Sequence, residues 1–180
     1  MLQLFSLCND LNKENETMNT YHSFCYNYVH NKKLYGPKQY SNRYSHPGFA
    51  WAMTGKCYEK IGGLYEVSIL GSGDFNIALA LLNKNPLHCK MTKEYKERLN
   101  KFISNVKNLR IGYCPTTIRH LFHGSKINRG YVDRHLILVK HKHNPYNHLI
   151  KNKDGLLFFS KNTPNEFKQD IKSYFESRKE

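Results

Sequence analysis

The chain has 180 residues, 39% of them hydrophobic, enough for one domain or a large part of one with a substantial core. Its 28 Lys and Arg against 14 Asp and Glu leave a net charge of +14, a field that favours nucleotide phosphates, nucleic acid or acidic glycans without choosing among them. No run approaches the ~20 apolar residues of a membrane span, the opening MLQLFSLCNDLNKEN lacks a secretory leader's regions, and the scattered Cys8, Cys25, Cys57, Cys89 and Cys114 form no C-x-x-C pair. Membrane, secreted, zinc-ribbon and thiol-redox classes are thereby set aside, and a cytoplasmic protein with reduced, packing thiols is expected.

In chain order, MLQLFSLCNDL alternates Leu2, Leu4 and Leu7 with polar residues, the pattern of a half-buried strand whose inner face they would form. Residues 12–44 are polar and aromatic, with TYHSFCYNYVH as an edge strand and Gly36-Pro37 as a turn, the makings of a lid. In HPGFAWAMTGKCYEKIGGL, Phe49 and Trp51 alternate as in a strand, Thr54 can cap a short helix, and Gly62-Gly63 ends it. After Gly71-Ser72-Gly73, Asp74 stands where a helix N-cap belongs, ahead of a helix apolar nearly all round from Ile77 to Leu82. Residues 92–108 carry Tyr95, Leu99, Phe102 and Val106 on one helical face. LRIGYCPTTIRHLFHG reads as short strands with Ile111, Tyr113, Ile118 and Leu121 inward. Helices follow from Tyr131 to Lys142 and from Pro164 to Arg178, the last with a Thr163–Glu166 capping box and an inner face of Phe167, Ile171 and Phe175.

Three groups of residues can carry chemistry. Asp74, framed by Gly63, Gly71 and Gly73, is either a carboxylate bonded to its own helix start or an exposed general base that a substrate can approach closely. RHLFHGSKINRGYVDRH gathers His120, His123, Lys126, Arg129 and Arg134. His120 and His123 would face opposite sides of a strand, so they do not imply a shared metal. His123 beside cations suits a metal–diphosphate site, and a solvated basic face explains the same residues. Trp51, the only tryptophan, is a core residue or a stacking platform, with His46 and Phe49 beside it.

Jointly, HPGFAWAMTGKCYEKIGGLYEVSILGSGD and TIRHLFHGSKINRGYVDRH resemble glycosyltransferases of the GT-A fold. The nearest group is found in large DNA viruses and is related to family two and galactosyltransferase-like members. The resemblance covers about Leu2 to Arg178. It implies an α/β fold, the carboxy-terminal half of a GT-A domain with a mixed sheet and flanking helices, so that residues 1–180 form a single partial domain. It places the catalytic base on Asp74, the acceptor pocket on His46, Phe49, Trp51, Gly62 and Gly63, the donor diphosphate on Lys126 and Arg129, and the metal, Mn²⁺ or Mg²⁺, on His123. Gly73 stands where the commoner motif has a first acid. The chain also contains no Asp-x-Asp, and its start corresponds to the strand after that motif. The resemblance therefore implies an amino-terminally truncated enzyme without its donor-binding half.

The expected function is sugar transfer from a nucleotide-sugar to a glycan or protein hydroxyl. Alternatives are an inactive truncated relative and one chain of a split enzyme whose partner supplies the donor half. A basic nucleic-acid-binding module is disfavoured because no recognition consensus appears.

Overall fold

Gln3 reverses the alternation expected at the amino terminus. The computed structural model describes residues 1–30, 45–84, 90–131 and 133–178. In it, strands β1 (Leu2–Gln3) and β2 (Leu7–Leu11) bury Gln3, Phe5 and Cys8, while Leu2 and Leu4 remain 44% and 38% exposed. A buried glutamine is stable here because its amide is bonded at both ends. Nε2 donates to the carbonyls of His46 and Gly48, and Oε1 accepts the Cys25 N–H, so little desolvation penalty is left uncompensated.

The chain's contacts divide it into two compact units: Met1–Tyr65 with Ser72–Lys84 and Phe102–Phe122, and Glu66–Gly71 with Asn85–Lys101 and His123–Glu180. The architecture is α/β, with mixed sheets and flanking helices. In the first unit, β1 pairs antiparallel with β5 (Trp51–Ala52) and parallel with β6 (Gly112–Tyr113). A second sheet runs β4 (Ser45–His46), β3 (Thr17–Ser23), β2, β7 (Thr117–His120), with β2/β3 antiparallel and the other two pairs parallel. The strands near Leu2 and Ile118 thus lie in different sheets.

Local signals explain the first unit's helices. The stretch expected as an edge strand ends at Ser23, whose Oγ accepts the Tyr26 N–H and starts α1 (Phe24–Val29). Thr54 caps α2 (Gly55–Ile61) through the Cys57 N–H, and Gly62, at φ 77, closes it. Helix α3 (Gly73–Leu81) is buried along Asn76–Ala80. Its Ala78 joins Phe24 and Cys25 in a core to which Trp51, Leu81, Leu82, Ile111 and Tyr113 are packed. Leu121, expected inside, is 62% exposed, because β7 ends at His120 and the strand alternation ends with it.

In the second unit, α5 (Arg134–Lys140), α6 (Pro145–His148), the hairpin β8 (Leu149–Lys151)–β9 (Leu157–Phe159) and α7 (Asn165–Ser177) supply buried Phe167, around which His141, His143 and His148 are arranged. Helix α4 (Lys93–Val106) buries the expected Tyr95, Leu99, Phe102 and Val106, the first two as part of this unit and the last two as part of the first. The capping box at the start of α7 does not form. Thr163 Oγ1 instead donates to the His148 carbonyl, and Glu166 pairs with Lys140. Tyr174, not Phe175, continues the inner face, at the i, i+4, i+7 spacing from Phe167 and Ile171. No described helix is long and apolar enough to cross a membrane. Gly36-Pro37 and the lid read around it lie outside the described residues.

Candidate active site

The turn His46–Phe49 is held from three directions. Gln3 takes the carbonyls of His46 and Gly48, and the Trp51 indole N–H donates to the Pro47 carbonyl at 2.7 Å. Three successive carbonyls are thus bonded by side chains, which fixes the turn without a long strand. The Gly48 N–H donates to His46 Nδ1 at 3.1 Å, setting that imidazole's orientation. Trp51 therefore acts as a brace and core residue, with Phe24 as its aromatic neighbour.

Asp74 belongs to the same place. A β-carbon on residue 48 would stand 2.8 Å from Asp74 Oδ2 and 2.9 Å from His46 Cε1, closer than real side chains come, so glycine is required for the carboxylate and imidazole to share this space. Asp74 is not the N-cap. Ser72, at φ 67, takes that position, and Asp74 lies in the first turn of α3. It makes no hydrogen bond or ion pair with any described residue. A half-buried carboxylate that neither caps its helix nor pairs with a cation remains to be explained by what it does.

Two further residues complete the group. Asp10 and His120 are register partners in the adjacent parallel strands β2 and β7, and His120 Nδ1 lies 2.8 Å from Asp10 Oδ1, with Asp10 only 6% exposed. Phe49 links this pair to the turn. Its ring stacks on His46 at 4.1 Å and 12°, approaches His120 at 4.5 Å, and meets Phe5 edge-on. To place its ring there Phe49 adopts φ 69, a left-handed backbone that is an outlier for a bulky side chain. Sequence reasoning missed Asp10. The one available signal was its period-two relation to buried Cys8, visible only once the strand's phase is known.

Gly62 and Gly63 form the C-terminal turn of α2, their N–H groups bonded to the carbonyls of Glu59 and Tyr58. Both have positive φ, 77 and 90, which explains the glycine pair as a helix stop.

The second unit holds the basic group. Arg129 bonds His123 Nε2 through one guanidinium nitrogen and the Tyr131 hydroxyl through another. Arg134 lies 4.9 Å over the Tyr131 ring and packs against Gly71, where a β-carbon would meet its Nη1 at 2.9 Å. Lys126 is exposed at the head of the 3₁₀ turn Ile127–Arg129. Two guanidinium groups around one phenol, with a lysine nearby in sequence, are suited to a phosphate-bearing ligand.

These residues do not fit Mn²⁺ or Mg²⁺. A divalent ion on His123 would need the Nε2 lone pair that faces Arg129, and hard cations demand several oxygen ligands. Among the described residues the one ligand cluster is His141, Glu166 and Asp170. There Lys140 Nζ lies 2.8 Å from Asp170 and 2.9 Å from Glu166, with His141 Nε2 2.8 Å from Asp170. The ammonium thus already supplies the cation. Hydrogen bonds to Asp170 and Glu166 raise the Lys140 pKa, and those from Lys140, with His141 adding to Asp170, hold both carboxyls below the usual range.

Comparisons with protein-family models, curated proteins and solved structures return no match.

Proposed function

We propose that the chain carries the catalytic and acceptor-binding part of a GT-A-type glycosyltransferase, moving a sugar from a nucleotide-sugar donor to a hydroxyl of a glycan or protein acceptor. The observation that supports this best is the meeting of Asp74 and His46 at Gly48, because it brings an unpaired carboxylate to the turn that the motif assigns to the acceptor. In this reading Asp74 takes the proton of the acceptor hydroxyl as that oxygen attacks the anomeric carbon. The bond from that carbon to the phosphate oxygen breaks, and the nucleoside diphosphate leaves with the electron pair.

The resemblance assigns the donor diphosphate to Lys126 and Arg129, cations of the second unit whose charge suits a phosphate. The overall charge of +14 favours capture of such a donor. His123 orients the Arg129 guanidinium in this scheme, and no step is assigned to a metal ion. The test is sugar transfer or hydrolysis from UDP- and GDP-sugars. Asp74→Asn is expected to lower the rate by roughly a hundredfold or more in a chain that still folds, and a full rate in that variant overturns the base assignment.

A further inference from the structure

We infer that the outer face of the β8–β9 hairpin, Ile150, Leu156 and Phe158 with Lys153 and Lys161 beside them in the chain, docks on an anionic lipid surface. The inference stands apart from the glycosyl-transfer reading and gives this part of the second unit a task of its own.

In an antiparallel hairpin with one face packed on a core, the other face is ordinarily polar. Ile150 and Phe158 are register partners, so their side chains leave the same face, and Leu156, two residues before Phe158, follows them. These three are 53%, 51% and 60% exposed. The alternate set turns toward the unit's core. Leu149 and Leu157 are half-buried there, the Phe159 ring lies 6.3 Å from that of buried Phe167, and Lys151 pairs with Glu66 at 2.6 Å. The polar and apolar roles are thus reversed, with an ion pair on the inner face and three large apolar side chains on the outer one.

The hairpin is fixed at both ends. Asn152 Oδ1 accepts the N–H groups of Asp154 and Leu156, and Gly155, at φ 80, completes the turn. At the open end the Ser160 N–H donates to the His148 carbonyl and the Ser160 hydroxyl to the Asn147 carbonyl. A hairpin held in this way keeps its outer side chains pointing outward, and apolar surface held outward marks a contact with something apolar.

Charge selects the occupant. From Asn147 to Asn162 the sequence carries three lysines and one acid, Asp154, whose carboxylate accepts from Asn152 Nδ2. Lys153 and Lys161 are exposed and have no partner among the described residues. Two copies meeting through this face would bring these lysines together on chains of net charge +14. Stacking on nucleic acid needs aromatic rings, and this face has one. An anionic bilayer accepts both features, taking the apolar side chains into its interfacial region and the lysines against its headgroups. No described helix could cross a membrane, and lying on one requires none.

Vesicle flotation of the full chain at about 0.1 M salt, where charges within ~10 Å still act, tests the assignment. The protein should float with vesicles of equimolar phosphatidylcholine and phosphatidylserine and not with phosphatidylcholine alone. Ile150→Thr/Phe158→Thr, which keeps strand-forming residues, should weaken the partition at least about tenfold. Leu156→Gln, outside the paired strands, gives the same direction with less demand on the fold. Lys153→Gln/Lys161→Gln should cost about fivefold for each lysine removed, and Leu121→Thr, at an exposed leucine of the first unit, should change nothing. Absence of flotation, or full flotation of both the threonine pair and Leu156→Gln, overturns the inference, the latter because charge alone would then suffice. An equal loss in Leu121→Thr overturns it as well. So does a dimer in sedimentation that forms without vesicles and is abolished by the threonine pair, which would make a second copy the occupant.

Discussion

The Asp74 carboxylate and the His46 imidazole meet where a β-carbon on residue 48 would stand, at 2.8 and 2.9 Å from it. Gly48→Ala therefore pushes a methyl group into both. The obstructing atoms are ends of side chains, which can rotate away at about 1 kcal/mol, so thermal stability should fall only slightly. Catalysis should fall far more, because the displaced groups are the proposed base and its neighbour. A double-mutant cycle with Asp74→Ala checks the origin. The stability cost of Gly48→Ala should shrink when the carboxylate is gone, and purely additive effects would place the clash elsewhere.

How much of this was legible beforehand depended on distance along the chain. The Thr54 cap, the Gly62 stop and the Tyr95–Leu99–Phe102–Val106 stripe are local signals, and all three hold. Gln3 was misread because the groups that make its burial tolerable lie 22 and more residues away. The Asp10–His120 pair spans 110 residues, which no periodicity reports. Asp74 was placed at the right helix start but in the wrong position. Ser72 takes a left-handed N-cap, which frees the acid from the capping role that its residue type suggested. Thr163 and Glu166 fit a capping box by spacing, yet stronger partners on α5 and α6 claim both.

Acid should destabilise the fold through His143. Its ring is fully buried, neither nitrogen has a well-formed hydrogen bond, and although the Val67 backbone favours the charged form, burial and neighbouring His148 hold its pKa down at about 4. The unfolded chain takes up that proton near pH 6.5, so between about 6.5 and 4 the unfolded state binds more protons and stability falls as pH falls. The integrated loss is about 3 kcal/mol. His148, also shifted down by burial and by His141, acts in the same direction. Urea unfolding at steps of pH should show this slope, and His143→Leu should flatten it. An unchanged slope in the variant would assign the acid sensitivity elsewhere.

Thiol labelling should divide the cysteines by burial. Cys8 and Cys25 are fully buried, whereas Cys57 and Cys114 are partly exposed. Burial also pushes the Cys25 thiol up to about 12, leaving almost no thiolate at neutral pH. Under native conditions a maleimide followed by peptide mapping should mark Cys57 and Cys114 well before Cys25. Early labelling of Cys25 would mean that the core around Phe24 and Ala78 opens readily.

Nucleotide binding should depend on arginine more than on metal. Arg129 is bonded to His123 and to the Tyr131 hydroxyl, and its backbone carbonyl accepts from Tyr174 at 3.1 Å, so the residue is anchored through both side chain and main chain. A diphosphate meeting this guanidinium gains charge-assisted hydrogen bonds that glutamine cannot supply. Calorimetric titration with UDP and GDP should therefore give the same affinity with Mn²⁺ and with a chelator, and Arg129→Gln should weaken it about tenfold. Binding that appears only with Mn²⁺ and disappears in His123→Ala would instead return His123 to the role of metal ligand, with the arginine displaced from its ring nitrogen. The Tyr131→Phe variant gives an independent check. It removes the hydroxyl that Arg129 donates to but keeps the ring under Arg134, so it should loosen nucleotide binding less than Arg129→Gln does.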